Sequence, residues 1–313
     1  NGLVLSQDID GVTLAAWNPH VRFDGLIGIT RRSVTDFDSS RPNFDNDTER
    51  LFSGAMVRVT VLPDHTPFAY VLIQRDMNDD VVRIDGPLTT TFQYDSYYFG
   101  LGSNGNVTNQ LAYRVEAVLE TGTSRSRNFD ENLVVTPQTD DDILAFAFDG
   151  QLDYLLLDAN RSRLSFQFLL ATGDDDRLNT SGTVLGNLPG TTDHAFNAFG
   201  LIDTGLAFSP PVSNLVMLRV GGSTFPFPEH QWLSRFQIGL NFFTYFKLDS
   251  DAPIEEATTS DAFLGVEPDL FINWQVTSDV SLALRYGVFF PGSGVVEDDD
   301  PRHFFFSGVT FGF

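Results

Sequence analysis

The fold is decided by the segment His303-Phe304-Phe305-Phe306-Ser307-Gly308-Val309-Thr310-Phe311-Gly312-Phe313. It has the length of one β-strand, and its second half alternates apolar residues with small or polar ones. Successive side chains of a strand point to opposite faces of the sheet. The segment therefore predicts a two-faced strand that closes on an aromatic residue.

The same alternation recurs upstream in segments of about 10 residues, the length of a strand that crosses a membrane. Segment 279–290 sets the row Val280, Leu282, Leu284, Tyr286, Val288 and Phe290 against Asp279, Ser281, Ala283, Arg285 and Gly287. Further two-faced segments span residues 110–120, 144–156, 163–171, 235–247 and 264–275, the last with Leu264, Val266, Leu270, Ile272 and Trp274 in its apolar row. Alternation alone fits both a membrane barrel, with the apolar row outward, and a water-soluble sandwich, with that row in its core.

The composition favours strands over helices. The 313 residues include 30 Phe and 26 Gly but no Cys, a mixture suited to strands and tight turns. The net charge of -23 argues against nucleic acid or anionic lipid as a partner of the exposed surface. No run of about 18 apolar residues is present, which excludes a transmembrane helix. The chain begins abruptly at Asn1, so we expect a secretion signal to be removed or upstream sequence to be missing.

Three features favour the membrane barrel. Aromatic residues cluster near predicted strand ends, where an interfacial girdle would place them; they are Tyr94, Tyr97, Tyr98, Phe99, Phe289, Phe290 and Phe304 to Phe306. Short connections alternate with long acidic ones, which span roughly residues 36–49, 77–87, 123–140, 173–211, 249–261 and 292–301. The third feature is the terminal Phe313.

We predict a single domain, residues 1–313, that folds as an all-β, antiparallel, up-and-down transmembrane barrel of about 12 strands. Residues 12–17 and 199–208 are further candidate strands, which would raise the count to 14. Short turns would lie on the periplasmic side and long acidic loops outside the cell. Residues 1–20 are predicted as a periplasmic or first-strand segment. Residues 173–211 are predicted as a long extracellular or inward-folded loop that constricts the channel.

The C-terminal strand resembles the last strand of bacterial outer-membrane β-barrels, whose final aromatic residue is part of the signal read by the assembly machinery. The resemblance implies that Phe313 and Phe311 carry this signal and that the barrel-assembly machinery is a partner. It also implies a location in the outer membrane of Gram-negative bacteria, in contact with lipid and lipopolysaccharide.

Three further motifs lie in the second half of the chain: Ala171-Thr172-Gly173-Asp174-Asp175-Asp176, Leu264-Gly265-Val266-Glu267-Pro268-Asp269, and Arg285-Tyr286-Gly287 followed by Phe290-Pro291-Gly292. With the Phe-rich end, they resemble the alginate-export family of outer-membrane channels over residues 162–313. The resemblance implies a monomeric barrel that passes small or polymeric polar solutes. It does not imply alginate, because members that export this polyanion have strongly basic lumens and the lumen predicted here carries both signs.

Charged side chains on the strands are expected to face the lumen, because a charge on the lipid face near the midplane costs about 2–4 kcal/mol. The predicted lumen and selectivity residues are Arg58, Arg114, Glu116, Arg163, Arg219, Arg235, Glu267, Asp269 and Arg285. Two interpretations stay open. In one, Arg114 pairs with Glu116, and Arg235 with Glu267 and Asp269, so that the charges neutralise each other. In the other, an unpaired arginine set forms an eyelet that selects anions.

Acidic runs at residues 140–142, 174–176 and 298–300 lie in the predicted loops. Carboxylates in flexible loops are ligands that Ca²⁺ prefers, but none of these runs has EF-hand spacing. We favour solvated loop acids, which divalent ions bridge to lipopolysaccharide, over a specific site. Asp174, Asp175 and Asp176 are the weak candidates for a loop Ca²⁺, and no other metal or cofactor is expected.

The residue pattern gives catalysis little support. The histidines fall in predicted turns or at strand ends, and His303 and Ser307 lie about 13 Å apart on one strand, too far for a direct pair. The sequence has no His/Cys metal cluster and no Gly-rich phosphate loop. We therefore predict no enzymatic activity.

The predicted function is a porin-like channel for passive diffusion or export of small or polymeric polar solutes, without a nucleic-acid partner. The alternative is a structural or scaffold barrel, plugged by its loops or by a periplasmic or lumen-inserted partner protein, with no solute flux. A water-soluble all-β binding module is a third interpretation.

Overall fold

A computed structural model describes residues 2–6, 8–30, 49–77, 82–130, 132–178, 180–181, 186–296 and 300–312. The strands in these ranges are β1 (Ile9–Trp17), β2 (Val21–Thr30), β3 (Arg50–Val59), β4 (His65–Asp76), β5 (Val82–Asp85), β6 (Leu88–Thr91), β7 (Gln93–Asn106), β8 (Leu111–Arg125), β9 (Asp141–Leu155), β10 (Arg163–Ala171), β11 (Leu215–Thr224), β12 (Phe236–Phe246), β13 (Phe263–Gln275), β14 (Val280–Pro291) and β15 (Arg302–Phe311). No helix in the described ranges is long and apolar enough to cross a membrane.

Thirteen strands form one sheet in which each strand pairs antiparallel with the next, while β5 and β6 form a separate hairpin between β4 and β7. This up-and-down order confirms the predicted fold class, and the count lies within the predicted 12 to 14. Residues 12–17 belong to β1, whereas residues 199–208 form no strand. Within the described ranges β1 and β15 are not hydrogen-bonded to each other.

The two edges of the sheet carry connections of different length. One edge, the short-turn edge, carries the connections at residues 18–20, 60–64, 107–110, 156–162, 225–235 and 276–279. The other edge, the long-loop edge, carries the longest ones, including residues 126–140, 172–214 and 247–262. The predicted alternation of short turns and long loops is therefore confirmed.

The two faces of the sheet differ as the alternation predicts. On β9, Leu144 and Leu152 are 50% and 43% exposed, whereas Ala147 and Asp149 on the opposite face are fully buried. The exposed face, called the outer face, carries apolar side chains on strand after strand, for example Leu164, Val220 and Leu240. An exposed apolar face of this extent marks contact with lipid or another apolar surface. The sandwich interpretation is wrong, because within the part of the chain that the structure describes these rows do not pack against a second sheet.

Some aromatic residues predicted for the girdle lie on the inner face instead. Tyr94, Tyr98 and Phe289 are fully buried there, whereas Phe99 and Phe290 are exposed on the outer face. The reason is the two-residue period of a strand, which sends only every second member of an aromatic run outward. The girdle prediction is therefore wrong for Tyr94, Tyr98 and Phe289.

A β-bulge changes the facing of one further predicted residue. The β12–β13 register shifts between Tyr245 and Phe246, so the regular alternation does not extend to the first residues of β13. Leu264, predicted in the apolar outward row, is fully buried.

Residues 172–214, called the inner loop, pack against the inner face. Phe199 of this loop packs edge-on against Phe52 of β3 with ring centroids 5.2 Å apart, and Phe208 stacks on Phe289 of β14 at 4.1 Å. In a flat sheet these two strands, nine positions apart, would be separated by about 43 Å. The nine residues from Phe199 to Phe208 reach at most about 32 Å. The sheet must therefore curve around the loop, as a barrel wall does.

The N-terminal residues 2–6 also lie inside this curve. The backbone N–H of Ser6 donates to the carbonyl oxygen of Phe199, and that of Leu201 donates to the carbonyl oxygen of Gly2, both at 2.8 Å. Leu3 and Val4 are buried. This segment and the inner loop together occupy the centre of the fold.

Candidate functional site: the lumen wall and the inner loop

Glu267 of β13 holds one end of the inner loop. Its Oε1 accepts the backbone N–H groups of Leu206 and Ala207, both at 2.6 Å, and its Oε2 accepts that of Phe208 at 2.8 Å. Successive backbone N–H groups that converge on a carboxylate form an anion-binding nest. Glu267 is fully buried, so this predicted lumen residue fixes the loop instead of facing open water.

A second attachment holds the peptide group of Asn197. Glu120 of β8 accepts the backbone N–H of Asn197 at 2.9 Å, and the Tyr98 hydroxyl of β7 donates to its carbonyl oxygen at 2.5 Å. The Tyr94 hydroxyl donates to the same Glu120 carboxylate at 2.5 Å. The backbone N–H and the carbonyl oxygen of Asn197 are thereby both bound by the barrel wall.

The third attachment is a buried charge cluster at the start of the loop. The guanidinium of Arg177 pairs with Asp193 and lies 3.7 Å from the Asp174 carboxylate, and all three side chains are inaccessible to solvent. Asp193 also accepts the Ser124 hydroxyl of β8 at 3.3 Å. Burial, followed by repulsion from Asp193, raises the pKa of Asp174 to about 6.

The acidic run considered for Ca²⁺ lies in this cluster. Carboxylate oxygens of Asp174, Asp175 and Asp176 come within 4.8 Å of one another. The Asp174 carboxylate, however, already accepts the backbone N–H groups of Asp176 at 3.1 Å and His194 at 3.3 Å in addition to its contact with Arg177. Loop Ca²⁺ binding stays a prediction.

Four of the predicted lumen arginines lie on the inner face, each beside a carboxylate. The pairs are Arg58 with Asp24 at 3.1 Å, Arg114 with Asp149 at 3.9 Å, Arg163 with Asp153 at 2.6 Å, and Arg219 with Asp203 of the inner loop at 3.1 Å. The side chains of Arg58, Arg114 and Arg163 retain 38%, 38% and 46% of their exposure. The wall therefore carries charge of both signs, in pairs of which the arginine is partly exposed in three cases while the partner Asp149 is fully buried.

The pairing differs from the one expected from sequence. Arg114 bonds Gln151 at 2.7 Å and lies near Asp149, whereas Glu116 accepts the Tyr70 hydroxyl at 2.6 Å. The expected Arg114–Glu116 pair is wrong because each residue meets a side chain on a neighbouring strand.

Arg235 does not belong to the lumen cluster. It is exposed in the turn before β12, where its carbonyl oxygen accepts the backbone N–H of Gln275. Gln275 is six residues beyond Asp269 on β13, a distance of about 20 Å. The expected pairing of Arg235 with Glu267 and Asp269 is therefore wrong.

Arg285 and Asp269 complete the predicted set. Arg285 donates to Asn273 Oδ1 at 2.7 Å and to two backbone carbonyl oxygens. Among the described residues it has no carboxylate within ion-pair distance. Asp269 is buried on the inner face, and its Oδ1 has no hydrogen-bond partner within the same ranges.

The two residues predicted as the assembly signal are placed as follows. Phe311 is 67% exposed at the end of β15, on the outer face. Phe313 lies outside the described residues. Their role in assembly stays a prediction.

The inner-loop residues that form these attachments were not predicted from the sequence. Asp193, Asn197 and Arg177 lie in a stretch without strand periodicity, where no pattern shows which side chains turn inward. The one available signal was the acidic run ending at Asp176, which is followed directly by Arg177.

Comparison with solved structures identifies the fold. The chain is similar to OccK11 (OpdR) of Pseudomonas aeruginosa, with a TM-score of 0.55 and 12% identity over 97% of this chain and 71% of that one. It is also similar to the outer membrane protein OprD from Pseudomonas aeruginosa, with a TM-score of 0.52 and 11% identity over 95% of this chain and 67% of that one. At these identities the likeness shows the fold alone, that of a bacterial outer-membrane β-barrel.

The family follows from a second comparison. The model of the alginate export family matches residues 7–305, and the chain belongs to that family. The resemblance inferred from the sequence, the outer-membrane location and the channel class are thereby confirmed. A search of curated proteins finds no match.

Proposed function

We propose that the protein is a passive channel for polar solutes that carry little net charge. The observation that supports this most is the set of ion pairs on the inner face whose arginine side chains are partly exposed, opposite the apolar outer face. Charged pairs sealed from water would carry a large desolvation cost. Arginine side chains that keep 38%, 38% and 46% of their exposure instead border water, and carboxylates beside them disfavour strong selection of anions.

The inner loop acts as a fixed constriction of this channel. It is attached to β13, to β7 and β8, and through the Arg177 cluster to the β8–β9 region, so at least these three sites would have to release before it leaves the lumen. A loop held in this way narrows the path without opening and closing freely.

A plugged scaffold is the second candidate, and the packing of the inner loop favours it. Phe196 and Phe199 are almost fully buried between the loop and the wall, so the centre of the fold is well filled. In this case the lumen would contain water but no continuous path.

Planar-bilayer recording of the purified protein distinguishes the two. The channel proposal expects steady open steps in symmetric salt. A protein that is inserted, as shown by protection of its strands from protease in liposomes, yet remains electrically silent would overturn the proposal and support the scaffold.

We further propose that the outer face contacts lipid and lipopolysaccharide, and that the assembly machinery reads the segment ending at Phe313. The apolar, exposed Phe305, Val309 and Phe311 on β15 support the first part. Deletion of Phe313 tests the second, with slower insertion into the membrane expected.

A further inference from the structure

A small polar recess opens on the inner face near the short-turn edge, between β10 and β13. It has a volume of about 280 Å³, and its lining includes Ser165, Ser223, Gln237, Asn241, Asn273 and Phe271. Ligand pockets usually measure about 300–1,000 Å³. This recess, called the amide recess, lies just below that range, so it has room for no more than one small ring.

Two glycines make room for the side chains that line the amide recess. A Cβ at Gly221 would lie 2.2 Å from Asn241 Oδ1 and 2.8 Å from Ser165 Oγ, and one at Gly239 would lie 2.1 Å from Cζ of Phe271. Contacts this short do not occur, so any larger residue at either position would have to displace the lining. The strand register sets Gly221 directly between Ser165 and Asn241.

The polar groups of the amide recess are oriented by a chain of hydrogen bonds. Arg285 donates to Asn273 at 2.7 Å, Asn273 donates to Gln237 at 3.1 Å, and Gln237 donates to the Ser223 hydroxyl at 3.1 Å. Ser223 is thereby left with its own proton to donate. In the described part of the chain, the side chains of Ser165 and Asn241 have no hydrogen-bond partner and are accessible from the recess.

The two arginines that line the amide recess are matched by carboxylates, whereas Arg285, beside Asn273 and Phe271, donates to Asn273 and two backbone carbonyl oxygens. Arg163 Nη2 lies 2.6 Å from Asp153 Oδ1, and Arg219 Nη1 lies 3.1 Å from Asp203 Oδ2. An anionic ligand would have to compete with these carboxylates. A neutral ligand would not.

We propose that the amide recess binds a neutral sugar ring or a cyclic polyol of similar size, a step that rests on the proposed channel as the route of access. Hydroxyl groups donate and accept hydrogen bonds, as do the serine hydroxyls and the Asn and Gln side chains, and the C–H edge of the ring would pack on Phe271. The site would hold such a solute at the short-turn mouth of the lumen.

Saturation-transfer NMR on the detergent-solubilised full chain tests the proposal, with D-glucose as the neutral probe and D-glucuronate as its anionic counterpart. We expect D-glucose to bind and D-glucuronate to bind at least tenfold more weakly. Asn241→Leu, which removes a donor and an acceptor, should weaken D-glucose binding about tenfold. Gly221→Val, which displaces Asn241 and Ser165 from their positions in the lining, should abolish it.

Asn104→Leu is the matched control, because Asn104 lies on the inner-face row of β7, three strands from β10. It should bind D-glucose as the unchanged protein does. Absence of D-glucose binding, tighter binding of D-glucuronate, or equal effects of Asn241→Leu and Asn104→Leu would each overturn the proposal. A protein that binds D-glucose but conducts no ions would contradict the channel and leave the recess standing, whereas a conducting protein without binding would contradict the recess alone.

Discussion

The carboxylate of Glu267 accepts the backbone N–H of Leu206 at 2.6 Å, and this contact joins the inner loop to the barrel wall. Hydrogen bonds to a charged group contribute about 1.5–3 kcal/mol, against about 0.5–1.5 kcal/mol for neutral ones. Glu267→Gln removes the charge and turns an amide N–H₂ toward the backbone donors. We expect hydrogen exchange at residues 206–208 to accelerate roughly 10- to 100-fold.

Asp153→Asn serves as the control for this change, since Asp153 pairs with Arg163 within the wall and forms no bond to the described residues of the inner loop. It should leave exchange at residues 206–208 unaltered. Equal exchange in Glu267→Gln and the unchanged protein would show that the nest does not hold the loop.

The buried Arg177 cluster should contribute strongly to the stability of the loop. Breaking a buried ion pair by removing one partner costs about 3–5 kcal/mol, because the remaining charge stays uncompensated. Arg177→Met leaves the buried carboxylates of Asp174 and Asp193 without their compensating cation. We expect a large increase in hydrogen exchange across residues 174–197 and a lower midpoint of thermal unfolding in detergent.

Arg125→Met gives the comparison with an exposed pair. Arg125 binds Asp140 at 2.6 Å, but the side chains keep 35% and 59% of their exposure, and exposed pairs contribute less than about 1 kcal/mol. If both substitutions lowered the midpoint equally, burial of the Arg177 cluster would not be the cause of its effect.

The raised pKa of Asp174 predicts a specific pH dependence. Its folded-state pKa of about 6 lies above the ordinary 3.8, so the folded loop favours the protonated acid. The contribution of Asp174 to loop stability is therefore complete below about pH 4 and is lost as the pH rises through 6. Asp193 and Arg177 face this group, and neither is changed in the test.

Asp174→Asn should remove this component. The measurement is hydrogen exchange of residues 174–197 between pH 4 and pH 7, corrected for its intrinsic rate. As the pH rises, we expect the variant to become better protected from exchange than the unchanged protein. Parallel pH profiles of the two proteins would contradict the assignment to Asp174.

The arginines of the wall should set the ion selectivity that the channel has. Arg285→Ala removes a cation without a carboxylate partner among the described residues, and Arg114→Ala leaves Asp149 without its cation. Both changes should shift the reversal potential in a salt gradient toward cation preference, with Arg285→Ala having the larger effect.

Arg235 provides an internal control for this series, because it is exposed in the turn before β12. Arg235→Ala should leave the reversal potential unchanged. Unaltered selectivity in Arg285→Ala and Arg114→Ala would discard any role of these arginines in selecting ions.

The strand rows were predictable from sequence because a two-residue period reports which face each side chain occupies. Leu144 and Ala147, for example, lie on the faces that the alternation indicates. The two-residue period fails to predict the face where the backbone departs from regular pairing, as at the bulge that buries Leu264. It also does not show how deeply an inward-facing aromatic side chain such as Tyr98 is buried.

The site was predictable only in part. Glu267 and Arg163 could be assigned to the inner face, but their partners depend on the register between strands and on the path of the inner loop. Arg235 was misplaced because the sequence does not show where the turn ends and β12 begins. The contacts of Asp193 and Asn197 depend on tertiary packing that no local pattern encodes.

The central claim is that the apolar outer face meets lipid while the polar inner face encloses water. Leu240 and Asn241 are neighbours on β12 that point to opposite faces, and the chain has no Cys. Single variants Leu240→Cys and Asn241→Cys in liposomes can therefore be compared by labelling with a charged maleimide. We predict that Cys at 241 reacts with the charged maleimide, whereas Cys at 240 is protected. A fluorophore attached to Cys at 240 in detergent should be quenched by brominated lipid after reconstitution. Reaction at 240 with protection at 241 would contradict the central claim.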